Sequence, residues 1–107
     1  MKSAFFTTEE LERLRAQSDQ RYHEFLRAAS MSAGLYVLPA GGVDAQRPHH
    51  EDEMYYVTRG RGKFRAGDED REVSAGSVIF VAAEVEHRFY DITEELAVLV
   101  FFAPAES

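Results

Sequence analysis

Hydrophobic residues follow two different spacings along the chain. Before residue 30 they recur at roughly helical intervals, after a Thr7-Thr8-Glu9-Glu10 stretch that has the form of a helix capping box. The residues of this stripe are Leu11, Leu14, Tyr22, Phe25 and Leu26. The pattern predicts a helical segment over residues 1–30, with Ser18-Asp19 as a break if there are two helices rather than one.

From Met31 onward the apolar residues form short runs that end at Gly or acidic turns. The predicted strands lie in SAGLYVLPA, residues 53–59, the hairpin KFRAGDEDREV, and the runs SVIFVA, EHRFYDI and LAVLVFFA. Many short strands at 8–12-residue spacing are typical of a β-sandwich or barrel. We therefore predict an all-β fold, with a barrel over residues 31–107 that forms one domain together with the helical segment.

Composition and charge narrow the classes of function. The formal net charge of −7 disfavours nucleic acid and anionic membrane surfaces as partners. The absence of cysteine excludes disulfides, thiolate metal sites and cysteine nucleophiles. The longest apolar run, Leu96 to Ala103, is far shorter than the ~20 residues of a membrane span. We expect a cytoplasmic protein.

The stretch QRPHHEDE, residues 46–53, carries the candidate chemistry. His49 and Glu53 are four residues apart, so an extended chain places both on one face. If His87, near the start of another predicted strand, lies opposite, the three form a set of two histidines and one carboxylate. This set suits a single divalent transition metal ion such as Fe, Mn, Zn or Ni, and leaves an open face for substrate or water.

The same residues resemble the two motifs of the cupin family. In the first motif a histidine, His49, is followed by Glu53 and then, after six residues, by Gly60. The second motif begins at Gly76 and places a histidine, His87, at the matching distance. The resemblance covers about residues 32–103 and implies a jelly-roll barrel, the double-stranded β-helix, with metal ligands at its mouth.

Three departures from the family pattern bear on the site. Arg47 stands where the motif has its first histidine, and an arginine cannot ligate a metal because it has no lone pair to offer. The motif's Pro and Gly are replaced by Ala82 and Glu84, and its final Asn by Asp91. The fourth ligand is therefore open between Gln46, His50 and water. We prefer Gln46, because His50 would need a β-bulge to share a face with His49.

Arg47, Tyr55 and Phe89 are the candidate residues of a substrate pocket. Arg47 suits a carboxylate clamp at the barrel mouth, whereas the other two share strand faces with Glu53 and His87. His50, Glu51 and Asp52 are expected to line the rim.

Three functions remain open on the sequence. The resemblance implies metal-dependent enzymes of small molecules, such as oxygenases, isomerases, epimerases and lyases, and it implies homodimers. A non-catalytic small-ligand binding or sensing module, with a structural metal or none, is the alternative. A metal-free barrel that has lost its site is the third reading.

Overall fold

The computed structural model describes residues 2–107 and shows one helix followed by six strands. The helix α1 spans Thr8–Ala16; the strands are β1 (Tyr22–Ala28), β2 (Met31–Leu38), β3 (Asp52–Ala66), β4 (Glu69–Ser74), β5 (Val78–Val81) and β6 (His87–Ala103). All pairings between strands are antiparallel, in the order β1-β2-β6-β3-β4, with β5 paired to β3. The predicted all-β fold with a preceding helix is confirmed.

The prediction that helical structure continues to residue 30 is wrong. The helix ends at Ala16, and the residues that were expected to extend the stripe lie in β1. Tyr22 packs against the inner core of the sheet, whereas Phe25 packs against a cluster on the outer face. Because β1 is apolar on both faces and has a bulge between Glu24 and Leu26, its hydrophobic spacing imitates a helical period.

The helix α1 packs on the outer face of its own sheet. The hydroxyl of Thr7 accepts a hydrogen bond from the backbone N–H of Glu10 at 3.1 Å, as the capping box predicts. Leu11 is buried against Leu35, Val37 and Ala97, which lie on β2 and β6. The helix therefore covers part of the sheet without needing a second subunit.

Two strands are longer than the sequence predicts. Residues 53–59 and the first half of the predicted hairpin are joined in β3, and the last two predicted strands are joined in β6. The glycine-rich stretch 60–62 and the polar stretch 93–95 lie where the β3–β6 register shifts. Both stretches bend the strands instead of ending them, because a bulge changes the direction of a strand without breaking its pairing.

The inner face of the sheet forms the main core. Along β3, Glu53, Tyr55 and Val57 are buried and alternate with exposed Met54 and Tyr56, as expected for a strand with one inward face. In the single chain the outward face of this part of β3 is open, with Met54 and Tyr56 44% and 42% exposed. The inward face carries the candidate site at one end of the core.

Candidate metal centre

The three predicted metal ligands meet at one point. Glu53 lies at the start of β3, His87 at the start of β6, and His49 in the segment before β3. Each contributes a ligand atom, and these atoms all lie within 4.8 Å of one another. Glu53 and His87 are buried, whereas His49 is partly exposed, so one side of the group faces outward.

His87 and Glu53 are in direct contact inside this group. His87 Nε2 is 3.0 Å from Glu53 Oε1, yet neither atom has a hydrogen-bond partner within the described chain. His87 Nδ1 lies 2.9 Å from the carbonyl oxygen of Val85, to which it donates a hydrogen bond. When His87 is neutral, its Nε2 lone pair therefore lies beside a carboxylate oxygen, and a cation between these two acceptor atoms would satisfy both.

Gln46 is oriented by its neighbours so that its oxygen faces the group. Its Nε2 donates to Asp44 Oδ2 at 2.7 Å, and its Oε1 accepts from the Tyr55 hydroxyl at 3.1 Å. The same Oε1 is 3.3 Å from His49 Nε2. Because the carboxylate of Asp44 requires a donor, the amide nitrogen points away from His49, and the oxygen is left beside the candidate ligands.

Asp44 organises this network from a buried position that the sequence did not reveal. Its carboxylate accepts from the Tyr36 hydroxyl at 2.6 Å, from Gln46, and from the backbone N–H of Phe89 at 2.9 Å. Burial, then the hydrogen bond to Asp44, raises the pKa of Tyr36 above its ordinary value. Asp44 thus ties the loop before β3 to strand β6 behind the candidate ligands.

Glu106 approaches His49 from the segment after β6. Its Oε2 lies 3.3 Å from His49 Nδ1, while His49 Nε2 lies 3.9 Å from Glu53 Oε1. A His49 ring that carries its proton on Nδ1 faces Glu106 with the N–H and offers Nε2 to the other ligands. The ring also packs edge-on against Phe102, at 4.9 Å between centroids.

A cavity of about 220 Å³ adjoins the candidate ligands. It is lined by residues from four strands and the two flanking segments: Tyr22, Tyr36, Gln46, His49, Glu53, Tyr55, Val100, Phe102 and Glu106. Sequence reasoning did not find Tyr22, Tyr36 or Glu106. The two tyrosines come from strands with no motif, and Glu106 follows the last strand, so only the folded chain places them here.

The three predicted pocket residues lie in different environments. Tyr55 lines the cavity, and its burial raises the pKa of its hydroxyl well above the ordinary value. Phe89 does not line it but is buried in the core against Tyr55 and Phe64. Arg47 is exposed and is not among the residues that line the cavity. The position of Arg47 therefore lends no support to its predicted role as a clamp.

The other acidic residues and the second histidine of this stretch also differ in exposure. His50 is exposed, and its Nδ1 lies 2.7 Å from a carboxylate oxygen of Glu84; neither residue lines the cavity. The hydrogen bond to Glu84 raises the pKa of His50. Glu51, expected at the rim, is buried, and its carboxylate accepts a hydrogen bond from the backbone N–H of Ser107.

Two of the departures from the family motif keep an unusual backbone conformation. Glu84, in the place of a motif glycine, has a φ of 71°, and Asp91, in the place of the motif asparagine, has a φ of 46°. Both values lie in the left-handed region, which glycine and asparagine adopt more readily than other residues. The residues at these two positions differ from the motif, but they adopt a conformation that the motif's glycine and asparagine favour.

Comparisons with known proteins find a close sequence relative and solved structures of similar fold. An uncharacterized protein of Streptomyces coelicolor is 49% identical over 102 residues, which cover 95% of this chain and 97% of that one. Among solved structures, a Bacillus halodurans protein covers 95% of this chain and 82% of its own, with a TM-score of 0.75 and 18% identity.

An RmlC-like cupin of Shewanella frigidimarina covers 78% of this chain and 75% of its own, with a TM-score of 0.72 and 18% identity. The described residues include no helix long and apolar enough to cross a membrane. The family description "Cupin domain" matches residues 34–103. The chain, with its antiparallel sheet and its paired motif histidines, belongs to the cupin family.

Proposed function

We propose that this cupin binds one divalent transition metal ion through His49, Glu53 and His87, and that a small molecule binds in the adjacent cavity. The observation that carries the proposal is the buried pair of acceptor atoms, His87 Nε2 and Glu53 Oε1, which lie 3.0 Å apart without a hydrogen bond. Buried polar atoms without partners are rare in folded proteins, and at a cluster of ligand side chains a cation supplies the missing partner.

Gln46 is our candidate for a fourth ligand. Its amide is held by Asp44 and Tyr55 so that the oxygen lies 3.3 Å from His49 Nε2. A neutral amide oxygen takes the place of the motif's first histidine, which is Arg47 here. Gln46 therefore fits the ligand set better than His50, whose ring is exposed and engaged with Glu84.

The residues around the ligands would hold them in place. The Val85 carbonyl accepts a hydrogen bond from His87 Nδ1, and Glu106 Oε2 lies 3.3 Å from His49 Nδ1. Both contacts would favour a proton on Nδ1 and leave the two Nε2 atoms for the metal. Imidazole and carboxylate ligands suit Fe, Mn, Zn or Ni, any of which would supply a Lewis acid or an open coordination position when bound. Tyr22, Tyr36 and Phe102 enclose the space beside the ligands and restrict water.

Metal analysis tests this proposal. Protein purified without chelator is expected to carry close to one transition metal ion per chain, or to take one up after dialysis against chelator and titration with Mn, Fe, Ni and Zn. Absence of uptake for all four metals would contradict the proposal and would leave the metal-free barrel.

Catalysis and simple binding are separated by turnover. An enzyme loaded with its metal consumes dioxygen or converts members of a metabolite mixture, whereas a binding or sensing module retains a ligand unchanged. The measurement is mass spectrometry of the mixture before and after incubation, with metal-stripped protein as the control. Retention of a ligand without conversion would favour the binding module.

We also propose that the chain forms a homodimer through the outer face of β3 and β5. Met54 pairs with Phe80, and Tyr56 with Val78, and all four side chains are 42–62% exposed. Such a contiguous apolar surface favours burial against a second copy. Light scattering should give the dimer mass for the native chain and the monomer mass for Phe80→Asp. Phe5→Asp, at another exposed phenylalanine, is the control, and a monomeric native chain would contradict the proposal.

A further inference from the structure

The cavity beside the candidate ligands combines aromatic walls with carboxylates. Its lining includes four aromatic side chains, Tyr22, Tyr36, Tyr55 and Phe102. It also includes the carboxylates of Glu53 and Glu106, and no lysine or arginine of residues 2–107 lines it. Such a lining offers no cationic side chain to an anionic ligand, so only a metal ion at the candidate ligands could pair with one.

Glu106 reaches this cavity because its backbone is tied down on the outside. Its N–H donates to the Ser32 hydroxyl at 2.9 Å, and its carbonyl accepts from Arg27 Nη2 at 2.7 Å. The next residue, Ser107, donates its N–H to the buried Glu51 at 3.2 Å. The backbone contacts hold the segment after β6 in place, and the Glu106 side chain is left to line the cavity.

The Glu106 carboxylate lies at the wall of the cavity and is largely shielded from solvent, with 28% of its side chain exposed. Within residues 2–107, the ion-pair partner of this carboxylate is His49 Nδ1, at 3.3 Å from Oε2. The other oxygen, Oε1, is left for a positively charged ligand group.

A second polar group in the same lining also lacks a partner. The hydroxyl of Tyr22 is buried and makes no hydrogen bond within residues 2–107. Tyr22 and Glu106 line the same cavity, so both side chains are placed to contact one ligand. The two neighbouring tyrosines already have partners: the Tyr36 hydroxyl donates to Asp44, and the Tyr55 hydroxyl donates to Gln46. Tyr22 is therefore available to a hydroxyl or amine of the ligand.

We propose that the cavity selects a small organic cation, with Glu106 as its charged partner and the aromatic side chains as its walls. This inference rests on the proposed role of the cavity as the small-molecule site. An ammonium group is attracted both by a carboxylate and by aromatic rings. The cavity, at about 220 Å³, is smaller than the pockets of drug-sized ligands and limits the cation to a small metabolite.

Two probes of nearly equal shape separate the effect of the ligand's charge from the effect of its size. Choline and its neutral isostere 3,3-dimethylbutan-1-ol are titrated calorimetrically into metal-loaded protein and into chelator-treated protein, with 3,3-dimethylbutanoate as the anionic probe. We expect choline to bind about tenfold more tightly than the neutral alcohol, and, in the chelator-treated protein, where no metal ion can hold a carboxylate, the anion to bind more weakly than both. Glu106→Gln keeps the shape of the side chain and should abolish the preference for choline.

Glu94→Gln is the matched control, because it removes the same charge at an exposed position paired with Arg61 and should leave the preference intact. Equal binding of choline and the alcohol, binding of neither, or a preference that survives Glu106→Gln would overturn the inference. Metal content is measured on the same samples. Loss of metal uptake with a retained preference would contradict the proposed metal site and still support cation selection.

Discussion

Glu53 and His87 meet at the candidate metal centre although they occupy opposite ends of the β3–β6 ladder. In the register, Glu53 is opposite Phe102, whereas His87 is opposite Ala66. Their side chains nevertheless lie 3.0 Å apart. The two long strands must therefore curl over their full length, and the bends along them are as necessary to the site as the ligands themselves.

The first prediction concerns His87. Replacing it with alanine removes the buried imidazole that faces Glu53. The metal content should therefore fall from one ion per chain to none under the loading conditions that saturate the native protein. The measurement is elemental analysis after gel filtration. His50→Ala is the matched control, because that ring is exposed and paired with Glu84, and its metal content should equal that of the native chain. Full occupancy in His87→Ala would rule out the proposed role of His87.

The second prediction concerns pH. Burial lowers the pKa of His87, but the contact with the Glu53 carboxylate and the Val85 carbonyl outweighs it, so the pKa lies above its ordinary value. Metal must displace that proton, so affinity should rise as pH increases through the raised pKa, and should fall at lower pH. Metal titrations between about pH 5 and 8 measure this around the ordinary histidine value of about 6.5. A flat profile would contradict ligation by His87.

The same raised pKa predicts that the stability of the metal-free protein changes with pH in the direction opposite to metal affinity. A folded-state pKa above the unfolded value means that the His87 proton stabilises the fold fully below the unfolded pKa, and that this stabilisation is lost as pH rises through the folded value. Urea unfolding of chelator-treated protein should therefore show less stability from this group at pH 8 than at pH 6. His87→Ala, as the control, should show a weaker dependence over this range.

The third prediction concerns Asp44. Its buried carboxylate accepts three hydrogen bonds, so Asp44→Ala should lower the free energy of unfolding by about 3 kcal/mol. Because Gln46 loses its support, metal affinity should also fall by about 10- to 100-fold. Urea unfolding and metal titration measure the two effects.

Asp70→Ala is the control for Asp44. Asp70 also accepts hydrogen bonds, from Tyr90 and Arg65, but it is exposed, and its loss should cost about 1 kcal/mol or less. Equal losses of stability in the two variants would show that Asp44 does not organise the network.

The fourth prediction concerns Gly60, at the bend of β3. Its φ is 98°, and a Cβ there would clash with the backbone carbonyl of Glu95 on β6. Gly60→Ala should therefore lower the free energy of unfolding by about 3 kcal/mol or more, and weaken metal binding because the bend brings Glu53 towards His87. Thermal unfolding and metal titration test both effects.

Gly67 provides the comparison for Gly60. Its φ is 60°, but nothing lies within 4 Å of an added Cβ, so Gly67→Ala should cost only about 1–2 kcal/mol of backbone strain. A Gly60→Ala protein as stable as Gly67→Ala would show that the bend tolerates a side chain.

The sequence predicted those features that depend on neighbouring residues. Alternation of the residues along 53–57 predicted the inward face of β3, because side chains alternate between the two faces of any strand. The turn residues at 66–68 predicted the β3–β4 hairpin, because tight turns need particular residue types. The spacing of the two motifs gave His49, Glu53 and His87 as a set. The prediction of a helix at Tyr22 was wrong because β1 is covered on both faces, which a local pattern cannot distinguish from a helix.

The sequence by itself determined the all-β fold, the capped helix and the three candidate ligands, because periodicity, turn chemistry and motif spacing are local properties of the chain. Only the tertiary structure decided that Asp44 orients Gln46, that Arg47 is exposed, and that Glu106 enters the cavity. These placements depend on how β3 and β6 curl and on which distant segments their ends meet. Contacts between residues far apart in the chain follow from packing, and packing leaves no periodic signal in the sequence.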